Sequence, residues 1–131
     1  MSDKNDGEVL VDREEVYGPP RLFFEAYGRM CEILDEYAHV GQGKDVKTSV
    51  FGLEHVPQAL AARDTRGLIK LVADKTTDRL LGAHMIAPEA GDSIQTAAIA
   101  IKSEMTATDL GNMIFPYLTM VEGLKLAAQT F

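Results

Sequence analysis

The chain has 131 residues and a mass of 14.3 kDa, enough for one compact domain with a modest core. Hydrophobic residues make up 46% and charged residues 25%, ordinary globular usage that excludes a wholly disordered or collagen-like chain. Thirteen basic against twenty acidic residues leave a net charge of −7, which argues against phosphate-backbone binding as the main task because such binding needs a net basic face. A single cysteine, Cys31, cannot form an internal disulfide. No apolar run reaches the roughly 20 residues of a membrane span, and the first residues lack a signal-peptide layout. The expectation is a cytoplasmic protein with no nucleic-acid or membrane partner.

Charge divides unevenly. Residues 1–47 hold eleven acids and six bases, whereas residues 48–131 hold nine and seven. Gly-Pro-Pro at 18–20 breaks the chain, and Phe23, Tyr27, Met30, Leu34 and Tyr37 then recur at helical spacing, which predicts an amphipathic helix over about 20–38. Gly41-Gln42-Gly43 ends it as a linker. Val46–Leu53 reads as a strand, and Gly67–Ala73 and Leu80–Ala87 flank the polar loop Asp74–Asp78 as a hairpin. Leu80-Leu81 and Met85-Ile86 break the alternation, so this strand is expected to be covered on both faces. Gly82 inside it signals a bulge or a close backbone approach.

The period then becomes helical. Ile94, Ala97, Ala98 and Ile101 form a face of mostly small residues suited to close packing on a sheet or on another chain. Thr106–Asp109 opens a short helix to about Ile114. Thr119 and Glu122 have capping-box spacing before a third helix over about 120–130, and Pro116 separates the two. The predicted class is α+β: an antiparallel sheet of three or four strands with helices on one face, preceded by the N-terminal helix.

Few residues suggest chemistry. Cys31 has no histidine within helical reach and reads as a small buried or half-buried residue. His39, His55 and His84 share no ligand spacing, so no metal site is expected. Glu32, Asp35 and Glu36, with Glu25 two turns earlier, form an acidic helix face. Such carboxylates suit Mg²⁺ in a nucleotide hydrolase, but the second acidic pair that this chemistry needs is missing, and a solvated face is the plainer reading. Phe115-Pro116-Tyr117-Leu118-Thr119 places a tyrosine in a short non-helical link, where spacing alone favours packing over ligand contact.

Several runs carry a resemblance: Val56–Ala61, Asp64–Val72, Leu80-Leu81-Gly82-Ala83, Ala87–Gly91, Ile94–Ile101 and above all Phe115–Phe131. Through them Val56–Phe131 resembles the C-terminal interface domain of the flavin-dependent pyridine nucleotide–disulfide oxidoreductases, and within that superfamily the mercuric reductases. The resemblance implies a domain, placed at 46–131, that pairs with its copy in a homodimer, with Ile94, Ala97, Ala98, Ile101, Phe115, Pro116 and Leu124 as interface candidates. It also implies that Tyr117 faces substrate at the partner's active site. Where the wider superfamily has a catalytic His before this proline the chain has Phe115, which agrees with the mercuric reductases and removes that acid–base role.

The family's FAD and NADPH domains and its redox disulfide have no counterpart in the 131 residues, and its closing cysteine pair falls beyond the position of Phe131. The chain is therefore expected to bind no cofactor, to have no catalytic residue of its own and to be an interaction module. Residues 9–45, notably Asp12–Pro20 and Phe24, are similar to a small phage-type protein family of unassigned function, so the whole reads as a chimera of an acidic segment (1–45) joined near Gly43–Lys47. Three alternatives stand beside the homodimer. One is a fragment lending Tyr117 to a flavin-dependent mercury(II) reductase, and another is a Mg²⁺-dependent nucleotide hydrolase built on the acidic helix. The third is a regulatory chain that forms mixed dimers with a full-length flavin oxidoreductase subunit.

Overall fold

The computed structural model describes residues 45–131. The helix expected over 20–38, with Glu25, Cys31, Glu32, Asp35, Glu36 and His39, lies outside the described residues. Within them the order is strand β1 (Val46–Gly52), a 3-10 turn (Leu53–His55), helix α1 (Pro57–Ala62), strands β2 (Leu68–Asp74) and β3 (Leu80–Ile86), and helices α2 (Ala90–Lys102), α3 (Ala107–Asn112) and α4 (Glu122–Ala128). This is the expected α+β class.

The strands form an antiparallel sheet in the order β1-β2-β3. Val46 pairs with Asp74 and Gly52 with Leu68 across β1 and β2, while Leu68 pairs with Ile86 and Lys70 with His84 across β2 and β3. The hairpin loop is folded by its own first residue: Asp74 Oδ1 accepts from the N–H groups of Thr76 and Thr77, both at 2.8 Å, an aspartate-closed turn. The ladder slips between Val72 and Ala73, beside the Val72–Gly82 pair, so Gly82 marks a bulge. Cover on both faces belongs to β2, where Ile69 to Ala73 are all buried. It does not belong to β3, which is an edge strand of the described sheet; there Leu80 is buried and the next six residues are half-buried.

Alternate residues of β2 build the core. Ile69, Leu71 and Ala73 join Ala97 and Ala100 of α2, Ala107 and Leu110 of α3, and Leu124, Ala127 and Ala128 of α4. Alanines on α2 and α4 let their backbones lie close to the sheet, while α3 packs on α4. A Cβ on Gly123 would stand 2.5 Å from Ile69 Cδ1, so any side chain there would force Ile69 of the core to move for α4 to keep its place on β2. Gly67 enters β2 at φ 134°, where a Cβ would sit 1.9 Å from the Ile86 carbonyl oxygen; both the dihedral and the space demand glycine. On the opposite face Lys70 and Val72 are also buried.

Helix α1 was not anticipated. Pro57 holds its N1 position, Val56 before it is extended, and Arg63 closes it in the left-handed region at φ 55°, the proline-first arrangement that suits a short helix. Helices α3 and α4 are shorter than predicted, and the capping box expected at Thr119 and Glu122 does not form. The N-cap of α4 is Val121, with no side-chain cap, because Thr119 Oγ1 donates instead to the Pro116 carbonyl at 2.8 Å. The box is found at α3. The Asp109 N–H donates to Thr106 Oγ1 at 3.0 Å, and the Thr106 N–H reaches Asp109 Oδ2 at 3.4 Å.

Candidate functional site

Residues 113–119, between α3 and α4, gather four exposed large apolar side chains, whereas Val50, Leu60 and Ile99 are exposed singly elsewhere in the described domain. Met113 is 40% exposed, Ile114 96%, Tyr117 73% and Leu118 42%. Apolar side chains scattered singly over a surface need no explanation, whereas four within six residues do.

The loop is held at both feet. Leu110 before it and Met120 after it are buried, and Phe115 packs half-buried against the core. Gln129 Nε2 donates to the Gly111 carbonyl at 2.8 Å, tying the end of α4 to the end of α3. Between those anchors the Thr119–Pro116 hydroxyl bond closes a turn, and Leu118 takes a left-handed backbone at φ 57°. Tyr117 is thus presented on an ordered tip, at the place the resemblance made substrate-facing. At the foot of α4, Glu122 Oε2 is buried and accepts no hydrogen bond from the described residues.

The other interface candidates separate. Pro116 and Ala98 are exposed, while Ile94, Ile101 and Phe115 are half-buried against the chain's own core. Ala97 at 1% and Leu124 at 0% exposure are core residues; they serve the sheet–helix packing and have no surface left for a partner, which corrects their place among the interface candidates. Sequence reasoning missed Met113, Ile114, Leu118 and Ile99, the last 57% exposed on α2. Met113-Ile114 carried a signal: two large apolar residues beyond the last helical repeat, with nothing in register to cover them.

Chemistry elsewhere is structural. Asp78 Oδ2 accepts from the Thr108 N–H at 2.9 Å and from its hydroxyl at 2.7 Å, and its other oxygen pairs with Lys47, whose ammonium stands 4.9 Å over the Phe131 ring. Partial burial acts to raise the Asp78 pKa, but the hydrogen bonds from Lys47 and Thr108 outweigh it and hold the carboxyl below the usual 3.8. Asp64 is lowered to about 2, chiefly by its side-chain hydrogen bond with Arg66. Among the described residues no three His, Cys, Asp or Glu side chains converge on a metal-sized site, and no helix is long and apolar enough to cross a membrane.

Residues 34–128 match the family described as pyridine nucleotide-disulphide oxidoreductase, dimerisation domain. The chain is 56% identical over 96 residues to the mercuric reductase of Shigella flexneri, covering 73% of this chain and 17% of that one. It is 56% identical over 113 residues to the mercuric reductase of Shewanella putrefaciens, covering 86% and 20%. That second match is longer than the whole stretch 46–131, so it takes in part of the first 45 residues. Among solved structures, the HOCl-induced flavoprotein disulfide reductase RclA from Escherichia coli superimposes with a TM-score of 0.63 at 25% identity, over 66% of this chain and 20% of that one. A pyridine nucleotide-disulfide family oxidoreductase from Enterococcus faecalis V583 superimposes at 0.54 and 26% identity, over 66% and 20%. The chain spans about a fifth or less of the length of each of these relatives.

Proposed function

This chain belongs to the family of pyridine nucleotide-disulphide oxidoreductase dimerisation domains, and from that premise we propose that the 113–118 loop joins two copies of it in a twofold homodimer. The observation that carries the reading is the exposure of Met113, Ile114, Tyr117 and Leu118 on a loop fixed at both ends. Full burial of an exposed aliphatic side chain such as Ile114 gains about 1.5–3 kcal/mol, the partly covered Met113 and Leu118 gain less, and an isologous contact uses the loop of both copies. Tyrosine and methionine are both enriched at the centre of protein contacts.

Tyr117 has a second task in this reading. In an assembly that includes the flavin-binding portion of a mercuric reductase-like enzyme, it faces the partner's active site and orients a thiol-bound metal ion. FAD and NAD(P)H belong to that other portion, because electron transfer is the cofactor's chemistry; this chain supplies contact and orientation, and no reaction alone. A full-length flavin oxidoreductase subunit bearing the same domain is the second partner the loop fits.

Light scattering after size exclusion, over a hundredfold range of concentration, tests the primary claim. The expected mass is near twice 14.3 kDa at the upper end, and Ile114→Asp should return it to the monomer. A wild-type monomer throughout the range would overturn the reading.

A further inference from the structure

We propose that residues 20–38 dock on the sheet face that the helices leave, laying their apolar stripe over Val72 and Lys70 as a second layer of this domain. The inference is independent of the contact proposed for 113–118.

Every described helix buries its residues in one cluster with Ile69, Leu71 and Ala73. Among the described residues, Val72 is the one buried hydrophobic side chain outside that cluster. It stands with Lys70 on the other face of β2, and the two are 0% and 1% exposed. Their cross-strand neighbours do not account for this. Val72 lies between Thr48, which is exposed, and Gly82, which has no side chain. Lys70 lies between Val50, 53% exposed, and His84. A lysine in such a place ordinarily runs its long side chain out to water, and a valine beside a glycine keeps one flank open. A further layer over β2 and β3 closes both.

The segment 20–38 has the surface for it. Phe23, Tyr27, Met30, Leu34 and Tyr37 recur at helical spacing, and an amphipathic helix needs an apolar surface to lie on. Phe23, Tyr27 and Met30 precede residue 34, where the family match begins, so most of the stripe comes from outside that match. The segment also reaches. Asp45 enters the sheet at its hairpin end, its carbonyl accepting from the Lys75 N–H at 3.0 Å. Residues 39–44 can span about 20 Å, against about 10 Å from β1 to β3. A helix over 20–38 is about 28 Å long and covers a strand of about 23 Å. Charge agrees, since residues 1–44 hold ten acids and five bases opposite a face centred on the Lys70 ammonium, and a buried charge is stable among such partners. The bare place above Gly82 suits an aromatic ring, a recurrent cover for a strand glycine. Among the described residues, a Cβ on Gly82 would meet Val72 alone, at 3.7 Å.

Acetylation of the full chain by an amine-reactive ester, read by peptide mass spectrometry, tests the docking. In the wild type Lys70 should react roughly tenfold more slowly than Lys75, whose side chain is 53% exposed, because it reacts only when its cover opens. Tyr27→Asp should bring Lys70 to within about twofold of Lys75 and leave Lys125 of α4 unchanged. A nitroxide on Cys31, the single cysteine, decides the matter if Tyr27→Asp unfolds the domain. It should broaden the amide signals of Val72 and His84 more than those of Leu110 and Ala127 in the opposite layer. Lys70 reacting as fast as Lys75 in the wild type would overturn the inference, and so would a nitroxide that broadens the opposite layer as much. Protection that survives Tyr27→Asp in a folded chain would also overturn it, by placing the cover elsewhere. Protection that disappears on dilution would overturn it in favour of a second copy.

Discussion

Asp78 ties three elements together with one side chain. It accepts two hydrogen bonds from Thr108 at the start of α3 and pairs with Lys47 of β1, while its own carbonyl accepts from the Ala107 N–H at 2.8 Å. Asp64 has the larger pKa displacement, to about 2, yet its partner Arg66 is two residues away and solvent surrounds both, so screening leaves that pair little stability to give. Asp78→Asn tolerates the left-handed backbone (φ 60°) and removes only charge and one acceptor; it should cost about 2 kcal/mol, the usual range for hydrogen bonds to a charged group. The pH dependence follows from the direction of the shift. A carboxyl held below 3.8 in the folded state contributes its stability above that value and loses it as pH falls through the folded pKa. Thermal melts between pH 7 and 3 should therefore show Asp78→Asn and wild type converging in acid, with Asp64→Asn parallel to wild type throughout.

At the scale of elements, the same spacing occurs twice and is used once. Thr106-x-x-Asp109 and Thr119-x-x-Glu122 both read as helix starts, but only the first forms its box. The reason lies outside the four residues: Pro116 offers an unpaired carbonyl three residues before Thr119, and the hydroxyl takes it. Thr106→Ala should thus cost about 1 kcal/mol, the usual loss at an N-cap, whereas Thr119→Ala should leave monomer stability within about 0.5 kcal/mol, as a surface change does; urea melts at low concentration measure both. The hairpin was legible because Asp74-Lys75-Thr76-Thr77-Asp78 separates two β-rich runs and Asp74 itself folds the turn. Helix α1 was not, since six residues are under two turns and give no period to read. Its signal was Pro57 followed by Ala59–Ala62.

Across the whole molecule, periodicity finds an apolar face but does not say what covers it. Ile94, Ala97 and Ile101 recur at helical spacing, and a sheet of the same chain takes them; Leu124 reads the same way and is fully buried under α4. The exposed loop has no period at all, so its apolar residues were visible singly and not as a surface. Tyr117 emerged through likeness to known sequences, since nothing in its spacing set it apart. Core and contact can be told apart by one pair of substitutions. Leu124→Asp buries a charge in the core and should unfold the domain at every concentration. Ile114→Asp, at a position 96% exposed, should leave the monomer folded. If the loop pairs two copies, association adds to wild-type stability by mass action, so its Tm should rise with protein concentration, by roughly 5 °C over a hundredfold range for a domain of this size. In Ile114→Asp that slope should vanish while the Tm at the lowest concentration stays at the wild-type value. Differential scanning calorimetry reads both quantities, and a slope that survives the substitution would move the contact away from the 113–118 loop.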